Sequence, residues 1–352
     1  MEVAAAATGN SPRLLMGWTH TAFPMGDASR VGEARRFAAH ASAELGWDDT
    51  DSGRLSIVVT ELANNLHLHA HEGQLLIAAV PALGLVEVIA IDHGPGINDL
   101  PLSMRDGYST GGTQGAGLGA VKRLADDFDI HSSVPQGTAC VARVRQRKET
   151  ADGPAAAPQS LRVGAIRLPL AGESVCGDAW AIALDGPRAA LFVADGLGHG
   201  SEAAKASGAA AQVFLDAPFG GLREQLEHMH VELQTTRGAA VCCLRVDTGA
   251  ATVVSSGVGN VVARVVSGLS DRSIVTQHGT VGMTMRRPQE TTTDLPPYAL
   301  LIVHSDGVET RWQSSTIQRL LGSDPTLVAA VLLRDHHRAR DDATVVVVQN
   351  TQ

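Results

Sequence analysis

Two aspartate–glycine segments, one in each half of the chain, constrain this sequence more than any other feature. The first reads Asp92-His93-Gly94-Pro95-Gly96 and the second reads Ala194-Asp195-Gly196-Leu197-Gly198-His199-Gly200. Each follows an apolar run of strand length, so each aspartate is predicted to lie at the end of a buried strand. A chain of 352 residues is too long for one ordinary compact core. We therefore expect two domains, with one Asp-Gly site in each.

The composition argues against several classes of protein. Apolar residues make up 44% of the chain and aromatic residues only 3%, so the cores must consist mainly of Ala, Val, Leu and Ile. The net charge of −9 argues against nucleic acid as a partner, because nucleic-acid-binding proteins normally present a basic face. No apolar run approaches the roughly 18–20 residues that a membrane span needs. Residues 1–10 lack a basic flank and a long apolar core, so we expect no secretory signal there.

The cysteines indicate a reducing environment. Cys140, Cys176, Cys242 and Cys243 show no metal-ligand spacing. Cys242 and Cys243 are neighbours on a predicted strand, so their side chains point to opposite faces and should not pair with each other. We expect buried free thiols and a cytoplasmic protein.

A change of composition marks the expected domain boundary. Residues 146–160 are polar, rich in Pro and Ala, and without periodicity, which is typical of a linker. We predict a first domain at 1–147, a linker at 148–160 and a second domain at 161–352. Since each half has an apolar pattern of its own, we expect each half to fold around a separate core.

The periodicity predicts an α+β fold for both domains. The first domain is expected to open with an irregular tail and to form a sandwich of helices on a sheet. Its predicted helices are 30–45, 51–69 and 117–126, and its predicted strands are 74–80, 84–92, 128–134 and 138–145. The second domain is expected to form stacked sheets flanked by helices. Its predicted strands are 161–168, 178–185, 188–195, 238–247, 250–256, 260–267, 273–278, 298–304 and 343–349, and its predicted helices are 200–217, 220–233 and 325–335.

The residues near the first Asp-Gly segment are those of a nucleotide site. Glu61 and Asn65 lie one turn apart on a predicted helix, so an amide oxygen suited to Mg²⁺ lies beside a carboxylate that can accept a hydroxyl proton. Asp92 is expected to point into a cleft from its strand end. Gly94 and Gly96 allow the backbone to approach a planar ligand closely.

A glycine-rich loop completes this pattern. Gly115, Gly117 and Gly119 lead into a predicted helix, whose N-terminal amides can bind phosphate. A lone Asp-x-Gly-x-Gly segment is more often a turn than a site, and a glycine-rich loop alone is a weak signal. Their joint occurrence in this order favours a nucleotide site.

Residues 55–145 resemble the GHKL (Bergerat-fold) superfamily of ATPases and kinases, and within it the anti-sigma-type serine kinases of the RsbT type. The matching motifs are Thr60-Glu61-Leu62-Ala63-Asn64-Asn65, Asp92-His93-Gly94-Pro95-Gly96-Ile97, the lid from Gly107 to Leu124, and Gly137-Thr138. The resemblance implies a Bergerat-fold α/β sandwich, the fold of the HATPase domains, which binds ATP with Mg²⁺.

The resemblance also implies a role for each matching residue. Asn65 would hold Mg²⁺, Glu61 would act as the general base, and Asp92 would accept a hydrogen bond from the adenine amino group. Thr138 would support Asp92 through hydrogen bonding. The glycines assigned to ATP binding are Gly94, Gly96, Gly115, Gly117 and Gly119.

Acidic residues of the second half each border a predicted strand. They are Asp178, Asp195, Asp306 and the pair Asp341-Asp342. A single Asp-Gly pair is more often a turn residue pair than a site, but four strand-end positions can converge at one edge of a sheet sandwich. Carboxylates that converge without a neutralising Lys repel one another unless they bind divalent cations. Oxygen ligands suit Mg²⁺ or Mn²⁺, and two such ions can activate a water for attack on phosphorus.

Residues 161–350 resemble the SpoIIE/RsbX branch of the bacterial metal-dependent protein serine/threonine phosphatases. The resemblance rests on the segment at 194–200, on Ser305-Asp306-Gly307 and on Arg340-Asp341-Asp342-Ala343-Thr344. It implies an α-β-β-α sandwich that holds two Mn²⁺ or Mg²⁺ ions.

The same resemblance implies a set of metal ligands. Asp195 would bridge both ions with help from the Gly196 carbonyl, and Asp178 would bind through water. Asp306 and Asp341 would bind on the other side. Asp342 is an alternative to Asp341 as the metal ligand, although the alignment of the Arg-Asp-Asp triplet favours Asp341.

Together the two resemblances imply a bifunctional phospho-switch regulator, in which an ATP-dependent serine/threonine kinase is fused to a phosphoprotein phosphatase. The expected partners are STAS-domain antagonist proteins or stressosome-type proteins, or a sigma-factor regulator, in a bacterial stress or sigma-factor pathway. The alternative is a first domain that binds ATP and sequesters a partner without turnover, fused to an active phosphatase. Glu61 favours the kinase, because a pure binding module needs no general base.

Overall fold

The computed structural model describes residues 12–104, 117–147 and 160–352. The strands are β1 (Arg13–Met16), β2 (Thr21–Pro24), β3 (Gln74–Val80), β4 (Leu85–Ile91), β5 (Asp127–Ser133), β6 (Gly137–Arg145), β7 (Leu161–Leu168), β8 (Asp178–Asp185), β9 (Arg188–Gly196), β10 (Ala239–Asp247), β11 (Thr252–Val258), β12 (Val262–Val266), β13 (Asp271–Ile274), β14 (Thr291–Asp294), β15 (Leu300–His304) and β16 (Ala343–Asn350). The helices are α1 (Ala28–Glu44), α2 (Asp49–His69), α3 (Leu100–Ser103), α4 (Gly117–Leu124), α5 (Gly200–Asp216), α6 (Leu222–Glu232), α7 (Ser314–Gln318) and α8 (Pro325–His336).

The long elements agree with the sequence prediction, and β3, β7 and β8 have the predicted bounds. The elements that the sequence did not predict are β1, β2, β14, α3 and α7. They are missing from the prediction because a segment of four or five residues is too short to show a period of 2 or 3.6.

The strands form three sheets whose paired strands are antiparallel. The N-terminal sheet has the order β2-β3-β4-β6-β5, the six-stranded sheet has the order β1-β8-β9-β10-β11-β14, and the middle sheet has the order β13-β12-β15-β16-β7. The N-terminal sheet consists of strands from the first half of the chain, and the other two sheets consist mainly of strands from the second half.

Helices α1, α2 and α4 pack on one face of the N-terminal sheet. Helix α2 begins after Asp48, whose carboxylate accepts a hydrogen bond from the Asp51 N–H at 2.8 Å and so caps the helix. The inward-facing Leu55, Val58 and Leu62 are buried and pack with the sheet in one core cluster. The first half therefore has the predicted architecture of an α/β sandwich.

The six-stranded and middle sheets pack face to face around a second core, which contains Trp180, Leu191 and Val346. Helices α5 and α6 cover the outer face of the six-stranded sheet. Helix α8 covers the outer face of the middle sheet, where it contacts β7 and β16. The predicted α-β-β-α sandwich is confirmed.

Helix α8 is buried on every side, since residues 325–334 are all buried. One side packs on the middle sheet and the other on the N-terminal sheet, so that Val331 of α8 shares a core cluster with Leu76 and Ile89. Each half thus has a core cluster of its own, as expected, and a third cluster around α8 is shared by both halves. The sequence pattern did not reveal this shared cluster. A helix that is apolar on every face is predicted to be buried, but the pattern does not show how many sheets pack against it.

Charged residues join the two halves beside this apolar contact. Arg143 on β6 donates from Nε to Glu87 at 2.7 Å, and from Nη1 and Nη2 to the Asp324 carboxylate at 2.8 and 2.9 Å. Asp324 also caps α8 by accepting a hydrogen bond from the Thr326 N–H. Burial raises the pKa of Glu87, but Arg143 and His20 outweigh this effect and hold the pKa at about 2. Glu87 is therefore charged at neutral pH, and Arg143 joins it to Asp324 across the two halves.

The N-terminal segment of the chain also crosses between the halves. Strand β1 pairs with β8, so residues 13–16 extend the six-stranded sheet of the second half. Only Leu15 of this strand is buried. The expectation of an irregular tail before residue 30 is wrong, because β1 and β2 lie there. A strand with one buried residue has too little alternation to be recognised in the sequence.

Three further expectations concern the chain as a whole. All four cysteines are free and buried, as predicted. Within residues 12–104, 117–147 and 160–352, no helix is both long and apolar enough to cross a membrane. Most of the expected linker at 148–160 lies outside the described residues, so the domain boundaries stay a prediction.

Candidate nucleotide and metal sites

A cavity of about 630 Å³ opens in the first half, between α2, the loop after β4, and the first turn of α4. Its polar lining residues include Glu61, Asn64, Asn65, Asp92, Asn98, Asp99 and Thr138. Its apolar lining residues include Leu62, Leu68, Ala90, Ile97, Leu118, Ile130 and Cys140. A cleft with apolar walls and a few convergent polar groups suits a small organic ligand with a planar ring.

Helix α2 supplies one wall of this cavity. Glu61 and Asn65 both line it, as the spacing of one turn predicted. The Glu61 carboxylate accepts a hydrogen bond from the Gly117 N–H at 3.2 Å, which places it at the N-terminus of α4. A carboxylate on α2 and the N-terminus of a helix, an end that can bind phosphate, therefore lie next to each other.

Asp92 lies at the end of β4 and faces the cavity. Its Oδ1 accepts a hydrogen bond from the Gly94 N–H at 2.7 Å, and its own N–H donates to the Thr138 carbonyl at 2.9 Å. Burial raises the pKa of Asp92, and the N–H groups of Gly94 and Thr138 and the charge of Arg334 oppose this effect. A fixed carboxylate oxygen at the rim of an apolar cleft is an acceptor for an amino group on a planar ligand.

Thr138 contacts this aspartate through its main chain and the following loop through its side chain. The Thr138 hydroxyl bonds to the Ser132 Oγ at 2.8 Å, and Ser132 Oγ in turn accepts from the Ile97 N–H at 2.8 Å. The side chain of Thr138 thus fixes the loop after Asp92, while its main chain contacts Asp92 itself. The sequence analysis missed Ser132, because it lies on β5 outside the matching motifs.

Glycine is required at two positions near Asp92, because neighbouring backbone atoms leave no room there for a side chain. A Cβ on Gly137 would lie 2.1 Å from the Asp92 carbonyl oxygen, and a Cβ on Gly96 would lie 2.6 Å from the Ser133 carbonyl oxygen. Both residues have positive φ, +101° and +75°. Of the phosphate-loop glycines, Gly117 and Gly119 lie in α4, and Gly115 lies outside the described residues.

The second site lies at one end of the two packed sheets. Asp178 at the start of β8 and Asp195 near the end of β9 are direct partners in the strand register. Asp306 follows β15, and Asp341 precedes β16. Strands far apart in sequence therefore bring these carboxylates together, as the strand-end pattern predicted.

The carboxylates of this site act on one another electrostatically. Burial raises the pKa of Asp195, and the negative charges of Asp178, Asp306 and Asp341 raise it further. Burial also raises the pKa of Asp178, although Ser305 donates a hydrogen bond to its Oδ2 at 2.7 Å. In such a cluster, each ionised carboxylate makes ionisation of the others less favourable. A bound divalent cation offsets this repulsion and stabilises the cluster.

Asp341 and Asp342 differ in what they contact. Both Asp342 carboxylate oxygens accept main-chain hydrogen bonds at 2.8 Å, one from Leu170 N–H and one from Gly177 N–H. Asp342 is also 2% exposed. Its carboxylate fixes the segment that leads into Asp178, and this arrangement favours Asp341 as the residue free to bind a metal ion.

Two further residues shape the site. A Cβ on Gly196 would lie 2.2 Å from the Ala203 carbonyl oxygen, so only glycine fits between β9 and α5. Asp306 accepts a hydrogen bond from Asn260 Nδ2 at 2.7 Å. The sequence analysis missed Asn260, because a lone Gly-Asn pair between strands resembles an ordinary turn.

The donor chemistry of the second site fits hydrated divalent ions. No group of three or more His, Cys, Asp or Glu side chains in the described part of the chain is arranged to hold a metal ion. Mg²⁺ commonly takes one or two protein carboxylates and keeps several waters. Separate carboxylates around two hydrated ions satisfy that requirement, whereas a closed cage for one ion does not form here.

Comparisons with known proteins agree with this division into two sites. Residues 25–144 match the family model of the histidine kinase-like ATPase domain. Residues 185–351 match the model of stage II sporulation protein E (SpoIIE). The first match contains the cavity, and the second contains Asp195, Asp306 and Asp341.

A curated relative identifies the first half more closely. The serine/threonine-protein kinase RsbT of Bacillus subtilis (strain 168) is 42% identical over 107 residues, which is 30% of this chain and 80% of RsbT. The chain belongs to the RsbT family of serine/threonine kinases. With its SpoIIE domain it combines kinase and phosphatase activity in one polypeptide, and it uses a nucleotide and a divalent metal.

Two solved structures are similar to about half of the chain. A protein from a study of the bacterial stressosome, a modular system adapted to control secondary messenger signalling, is 26% identical with a TM-score of 0.51. The match covers 54% of this chain and 100% of that protein. RsbX in complex with magnesium is 22% identical with a TM-score of 0.50, covering 54% of this chain and 94% of RsbX, and shows a shared fold.

Proposed function

We propose that this protein phosphorylates and dephosphorylates serine or threonine residues of STAS-domain proteins, and so sets the phosphorylation state of a switch in a bacterial stress or sigma-factor pathway. The observation that supports this most is that one chain contains both the nucleotide cavity and the carboxylate cluster. The similarity to RsbT and to a stressosome protein supports STAS-domain or stressosome-type partners.

In the kinase reaction, the cavity binds ATP with Mg²⁺. Asp92 accepts a hydrogen bond from the adenine amino group, Asn65 holds Mg²⁺, and the N-terminus of α4 binds phosphate. Glu61 removes the proton of the substrate hydroxyl as its oxygen attacks the γ-phosphorus, and ADP leaves. Glu61 is placed for this role because it lies at the same N-terminus of α4.

In the phosphatase reaction, two Mn²⁺ or Mg²⁺ ions would supply a metal-activated water and charge stabilisation at phosphorus. The charges of Asp178, Asp306 and Asp341 all act on Asp195, and we assign Asp195 and the Gly196 carbonyl as residues that would hold the ions. Asp178, Asp306 and Asp341 would also hold the ions. Asp342 holds the backbone beneath them.

A labelling experiment tests the proposal. The full chain is incubated with γ-labelled ATP and candidate STAS-domain proteins, and excess Mn²⁺ is then added after the nucleotide has been removed. We expect label to enter a serine or threonine of the STAS protein and to be released as inorganic phosphate. Nucleotide binding without any transfer of label would instead support the sequestering module, and transfer without release would contradict the phosphatase assignment.

A further inference from the structure

One arginine beside the metal site has no assigned role. Arg237 lies two residues before β10 and is exposed. It makes no hydrogen bond or ion pair with any residue that the structure describes. Lys205 bonds to the Glu202 carboxylate of α5 and lowers its pKa, and the charge of Arg237 adds only to this second effect. The N–H groups of the Arg237 guanidinium, a planar fork that matches carboxylate and phosphate oxygens, are therefore free to bind an anion.

The backbone around Arg237 pairs with the loop that follows β9. The Leu197 N–H donates to the Gly238 carbonyl at 3.0 Å, which continues the antiparallel register of β9 and β10 beyond its last pair. Arg237 therefore lies beside Gly198, three residues after Asp195. The side chain agrees with this placement, since a Cβ on Gly198 would lie 3.1 Å from Arg237 Nη1. The guanidinium thus packs directly on the loop of the metal site.

The same loop lies against the segment that leads into Asp178. A Cβ on Gly177 would lie 3.4 Å from the Gly198 carbonyl oxygen. Asp178 directly follows Gly177 and is the register partner of Asp195. Gly198 is therefore close to both segments that carry these carboxylates, and the guanidinium of Arg237 packs on that glycine at the edge of the site.

Two contacts fix the backbone that carries Arg237. The Thr236 hydroxyl donates to the Leu233 carbonyl at 2.7 Å and accepts from the Gly238 N–H at 3.0 Å. Gly238 has a φ of +80°, and a Cβ there would lie 2.7 Å from the Val281 carbonyl oxygen. Because this backbone is already ordered, only the side chain of Arg237 loses freedom when it binds a ligand.

A phosphate ester that enters the acidic cluster needs positive charge around it. A phosphoserine or phosphothreonine carries a charge of about −1.5 to −2 at pH 7, and unneutralised carboxylates of the cluster repel it. We propose that Arg237 binds the phosphate group of the phosphoprotein substrate, by donating hydrogen bonds to phosphate oxygens at the edge of the metal site. Charge-assisted hydrogen bonds of this kind are short and strong. This inference rests on the proposed metal site around Asp195.

The test measures binding and kinetics in the full chain. Calorimetry gives the affinity for inorganic phosphate in saturating Mg²⁺, and hydrolysis of p-nitrophenyl phosphate gives KM and kcat. In Arg237→Gln, phosphate affinity should fall and KM should rise, each by about tenfold or more, because charge-assisted hydrogen bonds are lost. The values of kcat and of the Mg²⁺ concentration for half-maximal activity should change by less than about threefold, since every proposed metal ligand remains. The variant should fold, because Arg237 is exposed and bonds to no described residue.

Arg272→Gln is the matched control, because Arg272 is an exposed arginine on β13 and should leave phosphate affinity and KM unchanged. Unchanged values in Arg237→Gln, or equal changes in both variants, would overturn the inference. A parallel loss of Mg²⁺ affinity in Arg237→Gln would also contradict it, since that result indicates damage to the metal site.

Two further outcomes separate the inference from the assignment on which it rests. Arg338 is an exposed arginine whose main-chain N–H donates to the Gly307 carbonyl, next to Asp306. A larger rise of KM in Arg338→Gln than in Arg237→Gln would move the phosphate to that side of the site and overturn the inference. A wild-type protein that neither binds phosphate nor hydrolyses the ester in Mg²⁺ would refute the metal-site assignment, and the inference with it.

Discussion

The nucleotide site and the metal site are held together by different forces. The nucleotide cavity lies within one sandwich, and its walls are largely apolar side chains that pack regardless of ligand. The metal site is a set of aspartates from two sheets, whose charges raise one another's pKa. The first site is therefore preformed by packing, whereas the second is assembled by the fold against electrostatic repulsion. Only the second site should depend on bound ions for its stability.

The largest effect is expected in the preformed site, where one group performs the chemistry. Glu61→Ala should keep ADP binding but lower phosphotransfer by about 10²- to 10⁴-fold, because it removes the general base and leaves the cavity walls in place. Radiolabel transfer to a STAS protein and calorimetric ADP titration measure the two properties. Glu44→Ala, an exposed glutamate of α1, is the control. Phosphotransfer at the wild-type rate in Glu61→Ala would remove Glu61 from the mechanism.

In the metal site, Asp195→Asn should lower phosphate release by at least about a hundredfold, because it removes the ligand proposed to contact both ions. Kinase activity should persist, since the cavity lies in the other sandwich. Release from a phosphorylated STAS protein is measured with Mn²⁺ titrated. Asp185→Asn changes a more exposed carboxylate at the other end of β8 and should have no effect. Wild-type release in excess chelator would rule out metal-dependent chemistry.

The contact between the two sandwiches can be tested separately from either site. Arg143→Met should destabilise the protein by about 3–5 kcal/mol, because it leaves Glu87 and Asp324 buried without their shared partner. Arg145→Met, two residues along the same strand, breaks an exposed pair with Asp127 and should cost less than about 1 kcal/mol. Chemical denaturation gives both values. Equal effects of the two substitutions would contradict a buried ionic contact.

The smallest effect concerns pH. In chelator, the folded protein should lose at least about 1 kcal/mol of stability as pH rises above 3.8, the ordinary pKa of an aspartate. The reason is that burial and neighbouring carboxylates raise the pKa of Asp195 in the folded state, so stability is present at low pH and lost as this group ionises. Saturating Mn²⁺ should reverse the trend, and Asp195→Asn should weaken it. The same pH dependence with and without metal would show that repulsion in the cluster is unimportant.

The sequence predicted most of the regular structure, because long elements carry a clear period. Helix α2 and strands β3, β7 and β8 are examples, and the strand-end positions of Asp92, Asp178 and Asp195 followed from the apolar runs before them. What the sequence missed were contacts between distant residues. Ser132 and Asn260 lie outside the motifs, and only folding brings each of them to its site.

By itself, the sequence determined the two fold classes, the chemistry of the two sites and most of their residues, since local periodicity and residue type are sufficient for these. Only the tertiary structure decided that α8 belongs to both halves, that β1 extends the six-stranded sheet, and that Asp342 is bound by main-chain amides. The physical reason is the same in each case. A residue's apolar or charged character shows that it needs a partner, but the identity of that partner depends on how the whole chain packs.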